Sequence, residues 1–361
     1  MEGVELSHLF KTYEGKRVFI TGDTGFKGSW MAYWLLKLGA EVNGYSLPPN
    51  TSPSHFHLLK SSYKTTYCDI KDLDSLKKAI NEFKPEIIFH LAAQSLVRQS
   101  YIDPIETYQT NIMGTAHVLE ASRDSDNLKS IVIVTTDKCY ENNEQESGYI
   151  ETDRMGGFDP YSSSKGCAEL IVHAYRNSFF NISDFNKSHN TLIATARAGN
   201  VVGGGDWSQD RLIPDIVRSA VKNETTIIRY PNATRPWQHV LEPISGYLLL
   251  GQKLLDGKAK FSGAWNFGPE EDEVLSVKDV ISLAKVAWND INYVVDTSNT
   301  HWHEANLLSL NIDKAKDSLG WFPKWNSQTA ISKAIQWYKE FYENRVVSTE
   351  KDLEKFIQDQ V

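Results

Sequence analysis

The chain has 361 residues, and its 38 lysines and arginines stand against 46 aspartates and glutamates, a formal net charge of -8. A surplus of acid excludes a surface built to clamp a nucleic-acid backbone, although a local basic pocket for a small phosphorylated ligand remains compatible with it. No apolar run approaches membrane-spanning length, and the first residues lack the basic-then-apolar order of a signal peptide. Cys68, Cys139 and Cys167 show no paired spacing, so free thiols and a cytoplasmic location are expected. The length suffices for a large core in one domain or two interleaved ones.

Lys16 to Thr21 reads as a short buried strand, and Gly22-Asp-Thr-Gly25-Phe-Lys-Gly28 follows it at once. Trp30, Trp34, Leu35 and Leu38 then recur at helical spacing up to a capping Gly39. A second strand over Glu41 to Ser46 runs into the turn Leu47-Pro48-Pro49. The alternation continues through a strand at Thr65 to Asp69, a helix at Leu73 to Phe83 and a strand at Glu86 to His90. A helix from about Ile105 to Ser122 precedes the β-branched run Ser130 to Thr136. Asp159-Pro160 opens another helix, since Asp caps free N–H groups and Pro suits a first turn. Leu192 to Ala198 supplies a further strand.

Strands alternating with helices predict an α/β fold, a Rossmann-type doubly wound parallel sheet. After Gly199 the rhythm changes to Gly- and Pro-punctuated stretches, a smaller interleaved C-terminal domain for substrate. The expected division gives residues 1–200 and 240–268 to the dinucleotide and residues 201–239 and 269–361 to the substrate. Ala330 to Tyr342 reads as an amphipathic helix within the latter.

The glycines Gly22, Gly25 and Gly28 follow a strand and open a helix, the place where backbone can approach a pyrophosphate. Such trios also arise as ordinary turns, but the strand–turn–helix setting favours a dinucleotide. Thr24, Phe26 and Lys27 belong to the same turn. No arginine or lysine stands between Glu41 and Leu59, which favours NAD over NADP. Asp69-Ile70 and His90-Leu91-Ala92-Ala93 end strands, the first within reach of an adenine and the second small enough for a nicotinamide half. Plain strand-end packing is the competing reading of each.

Tyr161 and Lys165 share a helix face, so an ammonium beside the phenol is expected to lower its pKa towards neutrality. That would make Tyr161 a base for a sugar hydroxyl while hydride leaves to the cofactor. Thr136-Asp137-Lys138 falls at the carboxyl edge of the sheet. There Thr136 could bind the reacting oxygen, and a protonated Asp137 could donate to a leaving hydroxyl, unless Asp137 and Lys138 form a solvated turn pair. Arg211 and Arg235 are candidates for a diphosphate, because guanidinium matches phosphate oxygens in fork geometry. His301 and His303 lack a partner cluster, so no metal site is expected.

These pieces, with Asn111, Arg197-Ala-Gly-Asn-Val-Val-Gly-Gly-Gly-Asp-Trp207 and Arg235-Pro-Trp-Gln-His239, resemble the extended short-chain dehydrogenase/reductases over almost the whole chain. Within them the chain is similar to the nucleotide-sugar 4,6-dehydratases, in the branch that acts on CDP-glucose. The resemblance implies NAD as a recycled cofactor, a nucleotide sugar as substrate and a homodimer or homotetramer. It also implies a place on the route to dideoxy sugars of bacterial surface polysaccharide, such as the O-antigen of lipopolysaccharide.

Carried over, the catalytic set is Thr136, Asp137, Lys138, Tyr161 and Lys165. The cofactor set adds Leu91, Asn111 and Thr135 to the residues above. Gln94, Asn200, Arg211, Leu212, Arg235, His239 and His303 fall to the substrate. Tyr161 would take the C4 hydroxyl proton as hydride leaves C4, and Asp137 would protonate the departing C6 hydroxyl. Lys138 stands where relatives place a glutamate that removes the C5 proton. A depressed amine, helped by Lys165 nearby, could serve as that base; otherwise Lys138 only orients the sugar. A 4-epimerase, a dehydratase for another nucleotide sugar and an inactive family member are the rival expectations.

Overall fold

The computed structural model describes residues 11–145, 147–228, 230–271, 273–296 and 307–360. Seven parallel strands form the central sheet: β1 (Arg17–Thr21), β2 (Glu41–Ser46), β3 (Lys64–Tyr67), β4 (Ile87–His90), β5 (Ser130–Val134), β6 (Leu192–Ala198) and β7 (Gly263–Phe267). Their order across the sheet is β7-β6-β5-β4-β1-β2-β3. The chain therefore starts mid-sheet and winds outwards both ways. The direction switches between β1 and β4, whose carboxyl ends leave a crevice, as doubly wound sheets do. β5 and β6 are buried at every position, which is why they read as continuous apolar runs and not as alternation.

Helices cover both faces. On one lie α1 (Phe26–Lys37) and, on the opposite one, α2 (Leu73–Phe83), α3 (Gly114–Ser122) and α4 (Pro160–Ser178). Asp159 accepts the Ser162 N–H at 2.9 Å and Pro160 occupies the first helical position, so α4 begins where its cap predicts. Further along come α5 (Leu212–Val221), α6 (Leu241–Leu255), α7 (Val277–Ala287), α8 (Ser327–Asn344) and α9 (Thr349–Asp359). α6 packs beside α1, and β7 pairs with β6. A separate core joins α5, α7 and α8 through Ile216, Val217, Val280, Ile281, Ile331 and Ile335. α9 returns to the first core, where Phe356 meets Trp34 with ring centroids 5.8 Å apart.

Two elements differ from expectation. β3 stops at Tyr67, because Asp69 accepts the Lys71 N–H at 2.9 Å and turns the chain. The helix expected over 105–122 is interrupted: Pro104–Tyr108 leads into a π turn, Gln109–Met113, before α3 resumes. Such single π turns accommodate one extra residue and recur at functional sites. Here the turn aims Asn111 inwards, towards the end of β4.

Candidate active site

The crevice floor begins at Gly22, where φ is +77°. A Cβ there would lie 2.6 Å from the Ala92 nitrogen, and one at Gly28 would lie 2.1 Å from the Gly22 carbonyl oxygen. Only glycine lets this turn, the first turn of α1 and the end of β4 close on one another. Gly25 precedes α1 without a capping side chain, and no carboxylate stands in the first turn. The first N–H groups of α1 thus present a positive end that suits an anion. Thr24 donates to the Leu47 carbonyl at 2.8 Å and ties the turn to the end of β2. A close glycine cradle and an uncapped helix start fit the diphosphate of a dinucleotide.

The end of β4 is braced from behind. His90 is buried between Thr21 (2.7 Å) and Thr115 (3.2 Å). Asn111 accepts the Gln94 N–H at 2.9 Å, and donates to the Gln94 carbonyl at 2.9 Å and to Ser164 at 2.8 Å. It therefore ties Gln94, the residue that follows Leu91-Ala92-Ala93, to Ser164 of α4. Ile70 is buried under Gly114, whereas the Asp69 carboxylate stays partly exposed beside Lys71.

α4 sets Tyr161, Lys165 and Glu169 on one face. Thr136 donates to Asp137 Oδ1 at 2.8 Å and accepts the Lys138 N–H at 3.4 Å, opening the short turn Asp137–Cys139. Asp137 is 2% exposed. It fits because position 199 is glycine: a Cβ there would approach Asp137 Oδ2 to 2.9 Å. Lys138 Nζ lies 3.7 Å from Asp137 Oδ1 and is the more exposed partner.

The expected Tyr161–Lys165 electrostatics are corrected here. Burial pushes the Tyr161 phenol up to about 12, opposed by the bonded Thr136 hydroxyl and the Arg211 charge and reinforced by Asp137 and Asp159. Lys165, one turn further along α4, donates to the Val134 carbonyl at 3.5 Å. Burial lowers Lys165 itself to about 8, while the charge of Glu169 works to keep it protonated.

Glu169 was not anticipated, although its i+4 spacing from Lys165 could have revealed it. Burial would raise its carboxyl, yet the Arg197 guanidinium at 2.8 Å and the hydroxyls of Thr135 and Thr195 hold it below the usual range. Thr135, expected at the cofactor, thus points its hydroxyl at Glu169.

Lys27 enters the same cluster. Its Nζ donates to the Tyr247 hydroxyl at 3.3 Å. Burial, then the charges of Arg211 and Lys165, lower it to about 7, with Asp137 opposing. Tyr247, on α6, carries no local sequence signal for such a role.

Arg211 also reaches the cluster, acting on Tyr161 and Lys27 while paired with Asp206 at 2.8 Å. Leu212 follows it at the start of α5. Gln94 bridges Leu96 and Thr107 at the crevice edge. Asn200 accepts the Gln238 N–H at 3.2 Å through its carbonyl. Arg235 lies in the strand Thr234–Pro236, which pairs with Val274–Ser276, and is buried. His239 is placed elsewhere: it is fully buried, with ring centroids 5.8 Å from Trp30 and 4.9 Å from Trp325, and burial lowers it to about 3. The structure seats it in the core and not at the crevice. His301 and His303 lie outside the described residues. Among those described, no group of three or more His, Cys, Asp or Glu side chains could hold a metal ion, and no helix is long and apolar enough to cross a membrane.

A doubly wound sheet, a glycine cradle and a tyrosine and lysine one helical turn apart beside it together define a short-chain dehydrogenase/reductase of the extended type. Residues 19–334 match the sequence model of a family described as GDP-mannose 4,6 dehydratase. The chain is 47% identical over 350 residues to a CDP-glucose 4,6-dehydratase of Salmonella typhimurium, covering 96% of this chain and 97% of that one. Among solved structures, an epimerase of Methanothermobacter thermautotrophicus is similar at a TM-score of 0.81 and 23% identity, covering 94% of this chain and 96% of that one. A dTDP-glucose 4,6-dehydratase of Bacillus anthracis in complex with NAD shares the fold at a TM-score of 0.73 and 22% identity, covering 91% of this chain and 98% of that one. The chain belongs to the nucleotide-sugar 4,6-dehydratase family.

Proposed function

We propose that the protein is an NAD-dependent hydro-lyase that converts CDP-D-glucose to CDP-4-dehydro-6-deoxy-D-glucose and water. The observation that carries this reading is Asp137, a buried carboxyl joined to Tyr161 through Thr136. A plain alcohol dehydrogenase has no use for an acid there, whereas loss of a hydroxyl needs a proton donor. The 47% identity over 96% of the chain to a CDP-glucose 4,6-dehydratase supports the choice of base and sugar.

Tyr161 accepts the proton of the C4 hydroxyl, held in line by Thr136. NAD bound at the glycine turn would supply the acceptor for the C4 hydride and its donor at C6, with no net redox. The C4 ketone acidifies the C5 proton, and Asp137 protonates the hydroxyl that leaves C6. Lys138 lies beside Asp137 and is the group we assign to the C5 proton or to orienting the sugar. Lys165, kept cationic by Glu169, stabilises the phenolate. The glycine turn with Thr24, Phe26 and Lys27 holds the dinucleotide, along with Asp69, Ile70 and the end of β4. Gln94, Asn200, Arg211, Leu212 and Arg235 flank the nucleotide sugar. We assign the sheet with α6 and β7 to the dinucleotide and the core of α5, α7 and α8 to the substrate.

Three further readings belong to this proposal. The free thiols of Cys68, Cys139 and Cys167 suit a reducing cytoplasm. The product is a precursor of dideoxy sugars. The protein pairs with a second copy, as a dimer or a pair of dimers, through residues 105–122 and α4, which leave Ile105, Met113 and Leu170 exposed by 63%, 48% and 58%.

Incubation with CDP-glucose, dTDP-glucose and GDP-mannose tests the substrate. Loss of one water from CDP-glucose alone, read by mass, is the expected result. Water loss only from another sugar nucleotide, or from none, contradicts it.

A further inference from the structure

The turn that carries Asp137 and Lys138 is three residues long, Asp137–Cys139. Its backbone bonds are long: the Cys139 N–H reaches the Thr136 carbonyl at 3.3 Å and the Tyr140 N–H reaches the Asp137 carbonyl at 3.4 Å. Tyr161 and Lys165, by contrast, ride on the 19 residues of α4. A turn this weak needs a hold from outside, and Tyr140, the next residue, supplies it. Its buried phenol accepts from Arg197 Nη1 at 2.6 Å and donates to Asn266 Oδ1, on β7, at 2.7 Å. Burial raises this phenol, so it keeps the proton it donates. The ring stacks on Tyr149 with centroids 5.2 Å apart, and its centre lies 4.9 Å from the Arg197 guanidinium.

The same guanidinium reaches the catalytic helix. Through Nη2, Arg197 pairs at 2.8 Å with Glu169, which lies one turn beyond Lys165 on α4 and also accepts from Thr135 at 2.5 Å and Thr195 at 2.8 Å. Arg197 Nη1 donates as well to the Glu151 carbonyl at 3.1 Å. One chain of bonds thus runs from α4 through β6 to the residue that closes the Asp137 turn. Both charges of the pair are buried. A buried ion pair is a weak source of stability, because desolvation offsets the attraction, but its forked bonds fix geometry.

We propose that Tyr140 is a positioning residue for the loss of water. Gripped by Arg197 and Asn266, it fixes the turn on which Asp137 and Lys138 meet the sugar, while Glu169 ties the same grip to the helix of Tyr161 and Lys165. The inference rests on the reading of this site as that of a dehydratase. Oxidation at C4 and loss of water use different groups, yet both must act on one sugar ring without its release. The network gives the two sets a common frame, so that the acid meets the C6 hydroxyl of the ring whose C4 oxygen faces Tyr161. Oxidation at C4 depends on α4 and should survive loss of the Tyr140 hydroxyl. Protonation of the leaving hydroxyl by Asp137 depends on the turn and should not.

Single turnovers of the full chain with CDP-glucose separate the two steps. Near-ultraviolet absorbance of reduced dinucleotide rises at C4 oxidation and decays only after water is lost. Tyr140→Phe keeps both ring contacts and removes the hydroxyl alone. It should leave the rise unchanged and slow the decay about tenfold, so that reduced dinucleotide accumulates. Arg197→Lys keeps a cation for Glu169 but lacks the second arm to Tyr140, and should show the same partition. A rise and decay slowed equally, or a decay left unchanged, in whichever variant folds overturns the inference. Failure of both variants to fold also overturns it, since the network would then be a prop of the fold. No water loss from CDP-glucose by the unaltered protein would strike the proposed function, and the inference with it.

Discussion

Asp137 and Tyr161 stand on either side of the Thr136 hydroxyl, and their substitution separates the half-reactions. With Tyr161→Phe the base is lost, so turnover should fall by about 10²–10⁴-fold with nothing oxidised at C4. Asp137→Asn should lower product formation by a similar factor yet still oxidise C4, seen as near-ultraviolet absorbance of reduced dinucleotide after mixing with CDP-glucose. If both variants stop before C4 oxidation, Asp137 is not the acid for the leaving hydroxyl. Lys138 is tested by Lys138→Glu: a base role predicts a shifted pH–rate profile, and full activity with an unshifted profile contradicts it. The strings Thr136-Asp-Lys138 and Tyr161-x-x-x-Lys165 pointed to these residues as candidates. Their electrostatics were not legible there. A four-residue spacing places two side chains on one face but says nothing of burial, which here outweighs the neighbouring charge and raises the phenol to about 12.

Among the elements, those with strong local signals matched: α4 starts at its Asp-Pro cap, β2 runs over Glu41–Ser46 and α2 over Leu73–Phe83. The π turn at Gln109–Met113 had no local signal, because it is favoured by the bonds Asn111 makes to distant Gln94 and Ser164. His239 was misjudged for a similar reason, since its surroundings come from α1 and from Trp325. The start of α6 holds a buried carboxyl, Glu242, which accepts the Lys324 and Trp325 N–H groups at 3.2 and 2.7 Å. Burial is the main cause of its rise to about 8. A carboxyl raised on folding contributes stability that is fully present below its unfolded pKa and lost as pH rises through the folded value. From this group, stability should therefore decline between about pH 4.5 and about 8. Glu242→Gln keeps an acceptor oxygen and cannot ionise, so its Tm relative to the unaltered protein should improve from pH 5 to pH 9. A difference that stays constant with pH would show that Glu242 does not ionise in this range.

At the scale of the whole molecule, the doubly wound sheet was readable because parallel strands and their helices alternate along the chain. The residues that join α5, α7 and α8 into one core were less readable, since their contacts are made between helices separated along the chain by long intervening segments. The exposed Ile105 and Leu170 predict that Ile105→Asp with Leu170→Asp converts a dimer to a monomer, measured by light scattering after size exclusion; an unchanged mass would rule that face out. The central claim is that one bound NAD carries the same hydride from C4 to C6 while Asp137 and its neighbours expel water. CDP-glucose deuterated at C4 tests it most directly. The product should be lighter by one water and carry the deuterium at C6. Deuterium released to solvent, or retained at C4 in unreacted sugar, would contradict it.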